Sequence, residues 1–200
     1  MKKKRLIVGL TGTFGSGKST VAQYFKRLGA AKVISADKLA HEVFAPGNLL
    51  QKKIRLLFDI KGVISRRAIA GVVFKDSGKR KKLEGIIHPY VFKRIREELR
   101  SIRNGIRVLE IPLLFETGAE RLCDVTVAVI AGEHNIINRL SGKGFSRKAI
   151  GERLKAHFSE HKKAARADFI IPNKNSEEEL FDRTKQVWSK LNLILENKTK

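Results

Sequence analysis

Short apolar runs alternate with amphipathic stretches along most of this chain. The first run, Leu6–Leu10, is continuously apolar and ends at glycines, which is typical of a strand buried on both faces. Similar short runs predict four further strands at Lys32–Ser35, Ile106–Ile111, Val125–Ile130 and Phe169–Ile171. Strands that alternate with helices favour parallel crossovers, so the pattern predicts a doubly wound α/β fold with a five-stranded parallel sheet between helical layers.

Amphipathic periodicity predicts the helices. The first covers Lys18–Leu28 and is stopped by Gly29, and the last opens at Ser176, where a glutamate three residues on completes a capping-box pattern. Further helices are predicted at Asp37–Phe44, Leu49–Phe58, Arg66–Phe74 and Lys79–Leu99. We expect the last of these to be interrupted near His88-Pro89, because a residue that precedes proline disfavours the α conformation.

Two helical blocks interrupt the alternation of strands and helices. Residues 38–103 and 133–166 contain helix patterns without a clear strand. We therefore expect one domain over residues 1–200, in which both blocks are insertions on a nucleotide-binding core made of about 1–37, 104–132 and 167–200.

Composition narrows the possible partners. Forty-two Lys and Arg against twenty Asp and Glu give a net charge of +22, which attracts polyanions. The basic runs, Lys2–Arg5, Lys79–Lys82 and Lys162-Lys163, are predicted to lie on a solvated surface. No apolar run has the 18 or so residues that span a bilayer, and no signal-peptide core follows the basic start, so we expect a cytoplasmic protein without a membrane partner. The single cysteine, Cys123, is expected to be a small buried side chain.

The clearest chemical signal is the segment GTFGSGKS. It matches the P-loop pattern GxxxxGK[ST] at every fixed position, between a predicted strand and a predicted helix. Backbone N–H groups in such a loop converge on phosphate oxygens, Lys18 bridges the β- and γ-phosphates, and the Ser19 hydroxyl is a ligand for Mg²⁺. The predicted phosphate-binding residues are Gly12, Thr13, Phe14, Gly15, Ser16, Gly17, Lys18, Ser19 and Thr20.

An acidic residue follows the second predicted strand. A carboxylate at the C-terminal end of a strand beside a P-loop faces the phosphate crevice, where Asp37 would accept a proton from a hydroxyl or hold Mg²⁺ through water. The same residue is also suited to cap a helix that begins at Lys38. Both interpretations are open from position alone.

Several segments, in order, resemble those of the dephospho-CoA kinases. The P-loop with its flanks matches the opening of that family, and the later segments resemble its DAD-x-[IL]-A-R, R-x-x-L…VF-x-D, LE-x-I-x-HP and D-x-PLLFE patterns. These segments are Ser35–Ala40, Arg66 with Val73–Asp76, Leu83–Pro89 and Glu110–Glu116. The resemblance covers about residues 6–190.

The resemblance implies a function and assigns roles. It implies ATP-dependent phosphorylation of the ribose 3′-hydroxyl of dephospho-CoA, the last step of coenzyme A biosynthesis, with Mg²⁺ and with ATP and dephospho-CoA as small-molecule partners. Block 38–103 would bind the acceptor, and block 133–166 would be a lid. The implied catalytic residues are Asp37, Lys18 and Arg139, the acceptor-binding residues are Asp37, Arg66, His88, Pro112, Leu113 and Glu116, and Asn173 would lie near the adenine of ATP.

This sequence departs from the family pattern at several positions. The departures are His41, Glu110 and Lys143 in place of Arg, Asp and Arg, together with Ser35, Ser65 and His157. They bear on acceptor affinity more than on the class of reaction. Two alternatives stay open: another P-loop kinase for nucleosides or nucleotides, and a P-loop protein that binds nucleic acid through its charge. No basic stripe interleaved with aromatic residues is present, so no specific nucleic-acid partner is expected.

Overall fold

The structure, a computed structural model, describes residues 4–62, 64, 66–73, 76–101, 104–155 and 158–198; the side chains of residues 66–68 also lie outside it. The described residues form two compact units. One contains those of Met1–Ser35 and Ile102–Lys200, and the other is Ala36–Ser101. Within these ranges, no helix combines the length and the apolar character needed to span a bilayer.

The larger unit is built on a five-stranded sheet. Its strands are β1 (Arg5–Gly12), β2 (Lys32–Ser35), β3 (Gly105–Glu110), β4 (Val125–Ile130) and β5 (Phe169–Pro172). Each pairs in parallel with its neighbours in the order β2-β3-β1-β4-β5. The prediction of a five-stranded parallel α/β fold is confirmed. Because β1 is central, its C-terminal end lies between the ends of β3 and β4.

Helices cover the sheet and form the smaller unit. In chain order they are α1 (Lys18–Arg27), α2 (Ala36–Glu42), α3 (Leu50–Phe58), α4 (Arg66–Val73), α5 (Ser77–Arg100), α6 (Glu133–Ser141), α7 (Arg147–Lys155), α8 (Glu160–Ala164) and α9 (Glu177–Asn197). A 3₁₀ turn covers Ala119–Leu122. The buried faces of α1 and α9 join the strands in one apolar core, which includes the fully buried Phe25 and Leu191. The predicted cap of the last helix is confirmed, since the Ser176 hydroxyl accepts from Glu179 N–H at 3.2 Å.

The smaller unit consists of α2 to α5 around its own apolar core, which includes Val43, Ile54 and Leu83. Here the structure excludes one open interpretation and corrects one prediction. Helix α2 begins at Ala36, so Asp37 lies within its first turn and is not its cap. Helix α5 runs without interruption through Pro89. Proline removes one backbone hydrogen bond there, but buried residues before and after it, Leu83, Val91 and Ile95, hold both halves in one helix.

Candidate active site

The P-loop lies between the end of β1 and the start of α1, as predicted. Gly17 precedes α1 with φ of 92°, a left-handed conformation that favours glycine. A Cβ atom at this position would lie 2.1 Å from Asn173 Nδ2, so the loop also needs glycine for a close approach. The first N–H groups of α1 have no partner within the helix and point along its positive end, which is an arrangement that binds phosphate.

A carboxylate from the neighbouring strand contacts Lys18 and Ser19, the last two residues of the P-loop pattern. Glu110 is the last residue of β3 and is buried. The Ser19 hydroxyl donates to Glu110 Oε1 at 2.5 Å, and Lys18 Nζ lies 3.9 Å from the same oxygen. The sequence identified Glu110 only as a departure from the family pattern. Its position at the end of the strand beside β1 places it next to the P-loop.

Asn173 connects the loop with α6, the first helix of the predicted lid. Its side-chain N–H group donates to the carbonyl oxygen of Ser16 at 2.8 Å. Arg139, near the end of α6, donates through Nη2 to Asn173 O at 3.0 Å and to Asn173 Oδ1 at 3.1 Å. The structure therefore brings together two predicted site residues that are 34 positions apart in sequence.

Glu160, in the first turn of α8, is a site residue that the sequence analysis missed. Its carboxylate accepts the backbone N–H groups of Ala131 and Gly132, each at 2.8 Å. It also accepts the Thr13 hydroxyl at 3.2 Å. One side chain thus joins the P-loop to the residues that lead from β4 into α6.

Lys163, near the other end of α8, is buried, so the prediction of a solvated side chain is wrong. The pair Lys162-Lys163 was expected to be solvated, but the Lys163 side chain is only 1% exposed. Its ammonium group donates to Pro112 O at 2.7 Å and to Glu116 Oε1 and Oε2 at 2.8 and 2.9 Å. Burial lowers the pKa of Lys163, the Glu116 carboxylate opposes this, and the charge of nearby Lys18 lowers the pKa further. The compensating contacts explain how a lysine is accommodated in the interior.

Phe14 connects the P-loop with the block that follows α6. Its ring meets that of Phe145 edge to face, with centroids 5.4 Å apart. The Arg153 guanidinium lies over both rings, 4.6 Å from the Phe14 centroid and 5.0 Å from that of Phe145. Phe14 also packs against the apolar cluster of the block, which includes Ile136, Leu140 and Ile150. The loop and the predicted lid are therefore in direct contact.

The smaller unit carries the other predicted acceptor-side residues. Asp37 is exposed in the first turn of α2, and among the described residues no hydrogen bond or ion pair involves it. His88 lies within α5, with its ring centroid 6.3 Å from that of Phe92. Arg66 begins α4, but its side chain lies outside the described residues, as do Ser65 and His157. In the larger unit, Pro112, Leu113 and Glu116 lie together in the loop after β3.

Comparison with known proteins gives one consistent result. A family model described as dephospho-CoA kinase matches residues 6–179. The chain is 36% identical over 193 residues to a dephospho-CoA kinase of Geobacter sulfurreducens, covering 92% of this chain and 98% of that protein. A dephospho-CoA kinase of Aquifex aeolicus is 35% identical over 190 residues, with 92% and 96% covered. A solved structure from Thermus thermophilus superposes with a TM-score of 0.83 at 34% identity, covering 94% of this chain and 98% of that one.

Proposed function

The chain belongs to the dephospho-CoA kinase family, and we propose that it transfers the γ-phosphoryl group of ATP to the ribose 3′-hydroxyl of dephospho-CoA, the last step of coenzyme A biosynthesis. The resemblance inferred from its motifs is confirmed. The observation that carries the proposal is the cluster of Lys18, Ser19 and Glu110 at the mouth of a P-loop, in a chain that matches the family over most of its length. A cytoplasmic location, where ATP is available, is part of the proposal.

On the ATP side, the loop from Gly12 to Thr20 would hold the phosphates through backbone N–H groups, and Lys18 would neutralise the β- and γ-phosphates. Arg139 would stabilise charge on the transferring phosphoryl group, where a fixed cation is effective because the charge spreads over three oxygens. Asn173 bonds to both the loop and Arg139, so it is suited to orient them relative to the adenine side.

The residues at the loop fit a magnesium ion. Mg²⁺ prefers oxygen ligands, and the Ser19 hydroxyl and the Glu110 carboxylate bring two such oxygens within 2.5 Å of each other. When bound, the ion would neutralise charge on the β- and γ-phosphate oxygens. Glu110 Oε1 also lies 3.9 Å from Lys18 Nζ. The attraction between the two charges holds the ammonium group at the mouth of the P-loop.

On the acceptor side, Asp37 would accept the proton of the ribose 3′-hydroxyl. An exposed carboxylate without a protein partner among the described residues is free to take that proton. Pro112, Leu113 and Glu116 would border the acceptor from the loop after β3, and Arg66 and His88 would contribute from α4 and α5. These acceptor contacts are proposals that rest on the family resemblance.

The test is an ADP-release assay with Mg-ATP and purified protein, comparing dephospho-CoA with AMP, adenosine and no acceptor. Turnover with dephospho-CoA alone, with coenzyme A as the product, is the expected result. Preference for AMP or adenosine would assign the chain to nucleotide or nucleoside kinases. Absence of any acceptor-dependent turnover would count against the proposal and against tolerance of His41, Glu110 and Lys143 in the site.

A further inference from the structure

Helix α8 is a short helix with a charged side chain of opposite sign near each end, and both are directed into the protein. Glu160 contacts the P-loop and the residues before α6, whereas Lys163 contacts the loop after β3. The neighbouring Lys162 is exposed and makes no comparable ion pair within the described residues. The two inward side chains thus connect one helix to two different borders of the site.

Lys163 has no donor left for a substrate. An ammonium group has three protons, and Pro112 O, Glu116 Oε1 and Glu116 Oε2 account for all three. The Pro112 carbonyl also accepts the Thr11 hydroxyl at 3.0 Å, and Glu116 Oε1 also accepts Phe158 N–H at 2.9 Å. Lys163 therefore orders the loop from within, and does not bind phosphate in this arrangement.

Both carboxylate oxygens of Glu160 are likewise bound to protein groups, at the other end of the helix. Its two oxygens accept two backbone N–H groups and one hydroxyl. A carboxylate is required, because a neutral amide presents one acceptor oxygen where two backbone donors need separate oxygens. Glu160 thus sets the distance between Thr13 in the P-loop and the start of α6, the helix that carries Arg139.

We propose that α8 positions the two substrate-binding borders separately: Glu160 positions the ATP border, formed by Thr13 and residues 131–132, and Lys163 positions the acceptor border, the loop 111–118, through Glu116 and Pro112. The acceptor half rests on the proposed function. Both are positioning residues, since each polar atom of the two side chains already binds a protein group. The effect on catalysis comes from geometry, as a displacement of about 1 Å can lower a rate by about 10²-fold.

The test separates the two substrates. Steady-state kinetics would give KM for ATP and for dephospho-CoA in Glu160→Gln and Lys163→Met. Glu160→Gln is expected to raise KM for ATP by about tenfold with little change in KM for dephospho-CoA. Lys163→Met is expected to raise KM for dephospho-CoA by a similar factor with little change in KM for ATP. Matched controls are Glu152→Gln and Lys162→Met, two exposed side chains on α7 and α8, which should leave both values unchanged. Parallel changes of both KM values in each site variant, or no change, would overturn the proposal.

A second set of variants separates the effect on KM from a loss of stability. Lys163→Met leaves the Glu116 carboxylate buried without its cation, so the double variant Lys163→Met with Glu116→Leu replaces the pair by apolar side chains and should recover the melting temperature. The KM for dephospho-CoA should stay raised in the double variant, above that of Glu116→Leu alone, because only the double variant lacks the bond to Pro112. Lys163→Arg should restore that KM. Recovery of KM together with melting temperature would mean that the pair only stabilises the fold.

Nucleotide affinity provides a readout that does not need turnover. Titration calorimetry with a non-hydrolysable ATP analogue should show weaker binding in Glu160→Gln and wild-type binding in Lys163→Met. If wild-type protein fails to phosphorylate dephospho-CoA, the proposed function fails, and this titration still decides whether Glu160 positions the ATP border. Equal affinities in the two variants would refute that half of the proposal.

Discussion

At the scale of single residues, Asp37 is the acidic side chain on which the proposed chemistry depends. Its side chain is exposed in the first turn of α2, so the change to an uncharged side chain of the same size should cost little stability. Asp37→Asn is expected to lower kcat by about 10²–10⁴-fold, because the amide cannot accept the hydroxyl proton, while the melting temperature stays unchanged. Turnover and thermal unfolding of the same preparation measure both effects.

The matched control is Asp59→Asn. Asp59 is an exposed carboxylate of the same unit, and its φ of 51° is a conformation that asparagine tolerates. Its replacement should preserve both activity and stability. Wild-type turnover in Asp37→Asn would remove this residue from the catalytic role, and an equal loss in both variants would indicate a general charge effect.

Cys123 gives a residue-scale prediction about reactivity. The thiol is partly rather than fully buried, and burial, followed by the charges of Asp124 and Glu120, raises its pKa to about 12. Only the thiolate reacts with alkylating agents, so at pH 8 iodoacetamide should modify the native protein about 10³-fold more slowly than the unfolded chain. Since the folded pKa is raised, the associated stability is complete below the ordinary thiol pKa and is lost as pH rises through about 12.

Mass spectrometry measures this modification directly, because the chain has one cysteine and each adduct reports a single site. Alkylation in a denaturant is the reference. Rapid alkylation of the native protein at pH 8 would show that the thiol is ionised or that the segment between the 3₁₀ turn and β4 opens readily.

At the scale of elements, Phe14 joins the P-loop to the predicted lid, and the joint can be loosened selectively. Phe14→Ala removes the ring over which Arg153 lies and the edge that Phe145 meets. Such aromatic and cation–π contacts contribute about 0.5–1.5 kcal/mol each. We therefore expect faster tryptic cleavage within residues 133–155 of the variant, measured by mass spectrometry of the fragments, and protection when ATP and dephospho-CoA are added.

Phe181→Ala is the matched control for this experiment. The Arg27 guanidinium lies 5.1 Å from the Phe181 centroid, a similar contact between α1 and α9 that does not involve residues 133–155. This variant loses a comparable contact but should cleave at those residues at the wild-type rate. Equal acceleration in both variants would mean that cleavage follows global unfolding and that Phe14 does not restrain the lid.

The elements also show which features a sequence can predict. Strand β4 and the P-loop could be predicted because each is encoded by contiguous residues. Apolar β-branched side chains indicate the strand, and glycines indicate the loop. The uninterrupted helix around Pro89 could not be predicted, because tertiary packing there overrides the tendency of a proline to interrupt a helix. The contacts of Glu160 and the burial of Lys163 could not be predicted either. Their partners, Ala131 and Glu116, are distant in sequence, and a lysine in a basic pair gives no local sign of burial.

At the scale of the whole molecule, acidic residues are scarce and several of them surround the P-loop. Glu110, Glu116 and Glu160 are three of only twenty acidic residues in a chain of net charge +22. Each contacts a lysine or backbone donors at the borders of the site. The site thus has local charge compensation, whereas the rest of the surface carries the excess of positive charge and the repulsion that comes with it.

That repulsion gives the last prediction. Like charges destabilise a compact state, and raising ionic strength from about 0.01 M to 0.1 M shortens the screening length from about 30 to 10 Å. Sodium chloride over this range should therefore raise the melting temperature by a few degrees, since about 1 kcal/mol corresponds to about 2–4 °C for a domain of this size. Sodium sulfate at equal ionic strength separates screening from anion binding, and Lys18→Met weakens the anion site of the P-loop. If screening dominates, both salts stabilise both proteins equally; a benefit from sulfate alone that disappears in Lys18→Met would assign the effect to the P-loop and not to the charge of the molecule as a whole.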